Sequence, residues 1–304
     1  MNEMPLENSA RKGYSRIGLA LFVMIAADNA AQLAAVIVAN LFGFAEEDWV
    51  IWFYSEVPLC LVAIPLGYLL LRRVESAGIN GEALGAKGFF KYLFMCFPLL
   101  YAGNILGVVL SMVFTGGAAE NPIESILNDQ TVMKVLIVVI LGPIVEELVF
   151  RKFLIDRTLR FGHRTAVLFS AGTFALFHLN LFQFFYAFGV GIVFAHVYAK
   201  TGKLRYNALM HICVNFVGGV IAPAFYSFLS ADNVPPLASL AASLGFLAFI
   251  FAVVGAGLAM LTNFGKELLQ KDEDEAGFKK AWLNVGMILF VVMCIGLTAF
   301  ILFS

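Results

Sequence analysis

Charge is what this chain has least of. Of its 304 residues only 13% are Asp, Glu, Lys or Arg, while 61% belong to the apolar set and Phe alone occurs 31 times. Soluble domains carry roughly twice that charged share. A soluble globule could not cover so large an apolar mass with 20 basic and 21 acidic side chains. Disorder is excluded on the same grounds, because disordered chains are poor in apolar residues and rich in charge. The net charge of −1 removes a generic basic nucleic-acid binder. Cysteine is scarce too: Cys60, Cys96, Cys213 and Cys294 fall inside apolar runs at unrelated spacings. They read as small packing residues, neither a disulfide framework nor a metal cluster. There is no HExxH string and no repeat clear enough for the inverted halves of a transporter. A cleavable leader is not expected either. The start (MNEMPLENSARKGYSR) is polar, and the apolar run after it is longer than a signal peptide's.

What remains is a set of long apolar runs. A helix crossing the hydrocarbon needs about 20 mostly apolar residues, and nine stretches qualify, at 17–42, 50–71, 89–115, 131–155, 164–182, 183–199, 206–229, 236–262 and 281–303. A membrane barrel would need alternating segments of about ten residues. The expectation is therefore an all-α polytopic membrane protein of nine helices, or eight if the tight pair at 164–199 is one element. The organisation expected is a cytoplasmic segment 1–16, three N-terminal helices over 17–130, a four-helix core over 131–229, and two C-terminal helices over 230–304 with a charged loop at 263–280.

Basic residues mark cytoplasmic connections. Arg11, Lys12 and Arg16 precede the first span; Arg72, Arg73, Lys87 and Lys91 follow the second. Arg151, Lys152, Arg157, Arg160 and Arg164 surround the end of the fourth, Lys200, Lys203 and Arg205 follow the sixth, and Lys266, Lys271, Lys279 and Lys280 precede the last. Only Lys134 breaks the alternation, and the other connections hold acids such as Glu46, Glu47, Asp48 and Asp232. The pattern predicts a multi-pass protein of the cell membrane with its N-terminus in the cytoplasm and, after nine spans, its C-terminus outside.

An ionisable residue inside the membrane is costly and marks function by default. Asp28 and Asn29 interrupt the first span, Glu56 the second and Asn104 the third. The fourth holds Glu146, Glu147 and Arg151, the fifth His178, the sixth His196, and the seventh His211 and Asn215. In GPIVEELVFR, Pro143 has no N–H for the carbonyl of Val139, so the helix is expected to bend there. Glu147 and Arg151 are i and i+4 with the acid first, the better order for an ion pair, which leaves Glu146 to face water. The alternative is that both glutamates are simply solvated at the cytoplasmic end of their helix. His178 ends FALFH one turn after Phe174, and His211 and Asn215 share a face in HICVN. His196 and Tyr198 read as interfacial structural residues, while Asp28, Asn29 and Glu56 either line the same cavity or pair with each other. For the polar groups to converge in depth, residues 156–163 and the first turn of the fifth helix should lie outside the membrane, with a cavity open to the cytoplasm.

With these strings in order, the chain resembles the CPBP (CAAX-protease and bacteriocin-processing, or Abi) family of intramembrane proteases, which includes the type II CAAX prenyl endopeptidase. The family motifs EExxxR, FxxxH and HxxxN read here as Glu146–Glu147–Arg151, Phe174–His178 and His211–Asn215. The resemblance covers about residues 130–220. It implies that Glu146 activates the attacking water with help from His178, that His211 and Asn215 polarise the scissile carbonyl, and that Glu147 and Arg151 orient the site. Glu146, His178 and His211 would also make a three-ligand zinc site with one open position, and a glutamate-activated water without metal is equally compatible. The expected substrate is a peptide or membrane protein cut near the cytoplasmic face, with the lipid bilayer as surroundings. Two other functions fit the same cavity: a non-proteolytic scaffold or bacteriocin self-immunity protein, and a proton-coupled transporter.

Overall fold

The computed structural model describes residues 6–44, 53, 56–121, 132–231, 234–269 and 277–304. Glu46, Glu47, Asp48, Lys271 and Asp232, the first residues of the 50–71 span and part of the 263–280 loop lie outside the described residues. Within them all regular structure is helical. Helix α1 covers Leu6–Leu41, α2 Glu56–Leu71 and α3 Ala86–Thr115. The fourth element, α4, is a continuous helical run over 132–161 whose winding changes repeatedly. Then come α5 at His163–Phe177, α6 at Leu181–Thr201, α7 at Leu204–Leu229, α8 at Pro236–Leu269, the short α9 at Gly277–Trp282 and α10 at Val285–Phe303.

Six of these helices, α1, α3, α6, α7, α8 and α10, are long and apolar enough to cross a membrane. The protein is thus an all-α polytopic membrane protein, but the count falls short of the nine runs read from hydropathy. The three that drop out have physical reasons. The described part of α2 is a shorter apolar helix. Helix α4 is broken by π turns and carries six ionisable side chains between Glu146 and Arg157. Helix α5 has 15 residues, or roughly 22 Å at 1.5 Å per residue, against a hydrocarbon thickness of about 30 Å. Hydropathy scores composition over a window and does not detect a change of winding.

The helix ends follow local chemistry. Asn180 caps α6 by accepting from the Phe182 amide at 3.0 Å, and Asn284 caps α10 by accepting from the Met287 amide at 3.0 Å. Packing relies on small residues, as expected where lipid gives no hydrophobic drive between helices. Helix α6 lies along α3 and α5, α1 along α10 and α2, and α8 along α3. A Cβ on Gly103 of α3 would stand 2.4 Å from the Tyr186 backbone of α6, and one on Gly286 of α10 only 1.8 Å from the Ser15 carbonyl oxygen of α1. One core cluster joins α1, α5 and α10 around Tyr14, Phe169 and Phe290; a second joins α3, α6, α7 and α8 around Cys96, Phe194 and Met210. The outer faces of α8 and α10 expose Leu237, Phe251, Val292 and Phe300 as a lipid-facing surface would. All four cysteines are free.

Candidate active site

Glu146 and Glu147 end the α-helical stretch Gly142–Glu147 of α4, which lies between two π turns at Val135–Leu141 and Leu148–Phe153, the second of which carries Arg151. Single π turns inside α-helices recur at functional sites because each re-aims the side chains beyond it. Glu147 and Arg151 are both fully buried, and Arg151 Nε lies 3.0 Å from Glu147 Oε2. The other guanidinium nitrogens find no hydrogen-bond acceptor. Instead the group lies over two aromatic faces, 4.5 Å from the Phe174 ring centre and 5.7 Å from that of Phe194. Buried charge persists only when paired or otherwise compensated, and the two rings supply the compensation that hydrogen bonds do not.

Glu147 has a second partner. His211, from α7, places Nδ1 3.0 Å from Glu147 Oε1. The carboxylate, paired with Arg151, accepts from an Nδ1–H, so the other ring nitrogen is turned towards Glu146. That nitrogen, Nε2, lies 3.5 Å from Glu146 Oε2. Glu146 is 31% exposed where Glu147 is sealed. The four side chains therefore form one line, Arg151–Glu147–His211–Glu146, running from the buried core to a partly exposed carboxylate.

His178 reaches the group through an aromatic ring rather than directly. It sits at the C-terminal end of α5, where its Nδ1–H donates to the Phe174 carbonyl at 2.8 Å. In the neutral ring this leaves Nε2 as the basic nitrogen. The Phe174 ring stands edge-on to His178 at 4.7 Å and to His211 at 5.8 Å. The residue after His178, Leu179, has φ of 52°, a left-handed conformation that a bulky side chain adopts only when its surroundings enforce it. Asn215 shares the His211 face but contacts none of the acids: its Nδ2 donates to the Val138 carbonyl of α4 at 2.9 Å. The capped carbonyl is thus that of Val138, not Val139, because π winding pairs a carbonyl with the fifth residue on.

Glu56 and Asp28 approach the same region. A Cβ on Gly142 would be 3.8 Å from Glu56 Oε1, and Glu56 is close enough to Glu146 and Asp28 to feel both charges. Asp28 accepts from Gln32 at 2.9 Å, while Asn29 donates to its own helix at Ile25. His196 and Tyr198, expected at the interface, are buried inside the bundle. His196 pairs with His163 at 3.2 Å, and Tyr198 donates to Asp156 at 2.9 Å. Sequence reading missed Phe194. Its only signal was that a buried arginine requires a counterpart on every side, which does not say which aromatic provides it.

Among the described residues, no three His, Cys, Asp or Glu side chains converge closely enough to hold a metal ion. Glu146 and His211 are neighbours, but His178 is turned to the Phe174 carbonyl and does not complete a three-ligand set with them. Among the described residues the donor arrangement does not fit the zinc site.

Residues 128–217, from the start of α4 into α7, match the family described as Type II CAAX prenyl endopeptidase Rce1-like. The core is homologous to the Rce1-like CAAX proteases of the CPBP family. The match contains Glu146, Glu147, Arg151, His178, His211 and Asn215, so the Rce1-like segment and the polar line coincide. A relative from Bacillus subtilis (strain 168), "Putative membrane peptidase YdiL", is 28% identical over 180 residues, covering 54% of this chain and 68% of its own length. No solved structure gives a significant match. Helices α1–α3 and α8–α10 lie outside the Rce1-like segment.

Proposed function

We propose that this protein is an intramembrane endopeptidase that hydrolyses a peptide bond near the cytoplasmic face of the cell membrane. The observation that carries the reading is the line Arg151–Glu147–His211–Glu146, in which only the last carboxylate is appreciably exposed. Arg151 pairs with Glu147, and Glu147 takes the Nδ1–H of His211 and so sets the tilt of its ring. Glu146, helped by His178, takes a proton from water as the oxygen attacks the substrate carbonyl carbon. His211 polarises that carbonyl and stabilises the oxyanion as charge develops, a role that requires an N–H on Nε2 as well as the one Nδ1 gives to Glu147. The proton held by Glu146 then passes to the departing amine.

The substrate is a peptide or membrane-anchored protein reaching the cavity from the cytoplasmic side. The alternation of Lys and Arg supports an N-terminus in the cytoplasm, and a C-terminus outside follows if α2, α4 and α5 cross together with the six longer helices. The test is substitution: Glu146→Ala, His178→Ala and His211→Ala should each abolish processing while the protein still inserts and folds. Undiminished cleavage by purified Glu146→Ala would overturn the reading. A scaffold would keep its phenotype in all three variants, and a proton-coupled transporter would lose accumulation in sealed vesicles without any loss of cleaved peptides.

A further inference from the structure

Asn215 is one turn beyond His211 on α7 and half-buried, yet its amide is directed at backbone rather than at the acids. The reason lies in α4. Over Val135–Leu141 the chain is wound as a π turn, in which each carbonyl pairs with the amide five residues on. For Val138 that partner is residue 143, and residue 143 is proline, which has no N–H to give. The π winding ends there, and α-helical winding resumes over Gly142–Glu147. A carbonyl left unpaired among apolar side chains is costly. Asn215 Nδ2 donates to this very carbonyl at 2.9 Å.

We infer that Asn215 is a positioning residue: its side-chain amide replaces the hydrogen bond Pro143 cannot make, and so holds the π turn that sets the direction in which Glu146 leaves α4. Helix α7 then grips α4 at two levels, Val138 before the proline and Glu147 after it, with Glu146 held between them. The consequence for geometry is large. A π turn carries one extra residue, and losing it re-phases everything beyond by roughly 100°, enough to take Glu146 out of line with His211 Nε2. This role is distinct from the one the family resemblance implies, in which the asparagine meets the reacting carbonyl. The purpose of the clamp rests on the peptidase reading above; its existence does not.

The test is a double-mutant cycle on the full-length protein with Asn215→Leu, Pro143→Ala and the pair, since alanine restores an N–H at position 143. Two quantities are measured: the thermal unfolding midpoint in detergent, and the yield of peptides whose cleavage in cells depends on Glu146. Asn215→Leu should lower the midpoint by about 2–4 °C and reduce Glu146-dependent cleavage at least tenfold. In the Pro143→Ala background the same substitution should leave both close to Pro143→Ala alone. Equal loss in both backgrounds overturns the clamp. Recovery of the midpoint without recovery of cleavage overturns the positioning role and makes Asn215 a group that touches the reacting atoms. If Asn215→Leu does not fold, the folded yield of the pair decides instead: recovery supports the clamp and failure overturns it. Absence of any Glu146-dependent cleavage in wild type would sink the peptidase reading, while the midpoints would still decide the clamp.

Discussion

His211 of α7 hydrogen-bonds through Nδ1 to the fully buried Glu147 of α4, 64 residues earlier in the chain, at 3.0 Å. That contact ties the two motifs together and turns the opposite ring nitrogen towards Glu146. The line is sealed at the Arg151–Glu147 end and exposed at Glu146.

The buried end makes the first prediction. Glu147→Ala leaves Arg151 charged, sealed and without an ion-pair partner, which typically costs about 3–5 kcal/mol. Arg151→Met together with Glu147→Gln removes both charges and should cost much less than Glu147→Ala alone. Thermal unfolding of the purified variants in one detergent checks the order.

The aromatic faces make the second. Phe194→Leu keeps most of the apolar volume but removes a ring 5.7 Å from the Arg151 guanidinium, a contact worth about 0.5–2 kcal/mol when desolvated. Phe194→Leu should destabilise the protein, and should cost almost nothing further in the Arg151→Met, Glu147→Gln background. Additive losses in the two backgrounds would show that the ring acts by packing alone.

A third concerns the frame around the site. Gly286→Ala would place a methyl group 1.8 Å from the Ser15 carbonyl oxygen and force α10 away from α1. Overpacking of this kind costs about 1–3 kcal/mol. Gly218→Ala, at a position with nothing within 4 Å, should be near neutral in the same unfolding assay.

Orientation gives a fourth. Single cysteines placed at Lys12 and at Ser304 in a cysteine-free background should differ in sealed cells: only the C-terminal one should react with an impermeant maleimide added outside. Reaction at both ends, or at neither, would contradict the proposed crossing count.

The Glu147–Arg151 pair was legible in the sequence because i, i+4 spacing survives wherever a helix forms, and it is seen at 3.0 Å. The shared face of His211 and Asn215 was legible for the same reason. What each of them meets was not. The carbonyl that Asn215 caps is that of Val138, within the π turn before Pro143, and winding of that kind leaves no mark on hydrophobic periodicity. The shortness of α5 was hidden because Leu179, Leu181 and Phe182 continue the apolar run past the helix end at Phe177. Phe194 lies on a helix with no motif of its own, and only three-dimensional packing brings it to Arg151.

The central claim is that Glu146 activates water for peptide-bond cleavage. The most direct measurement is comparative peptidomics of membranes from cells making equal amounts of folded wild-type protein or of Glu146→Gln, which keeps size and hydrogen bonding but removes the base. The account predicts a set of cleaved peptides present with wild type and lost with Glu146→Gln, in line with the roughly 10²–10⁴-fold contribution of a general base. Identical peptide sets from the two would contradict it.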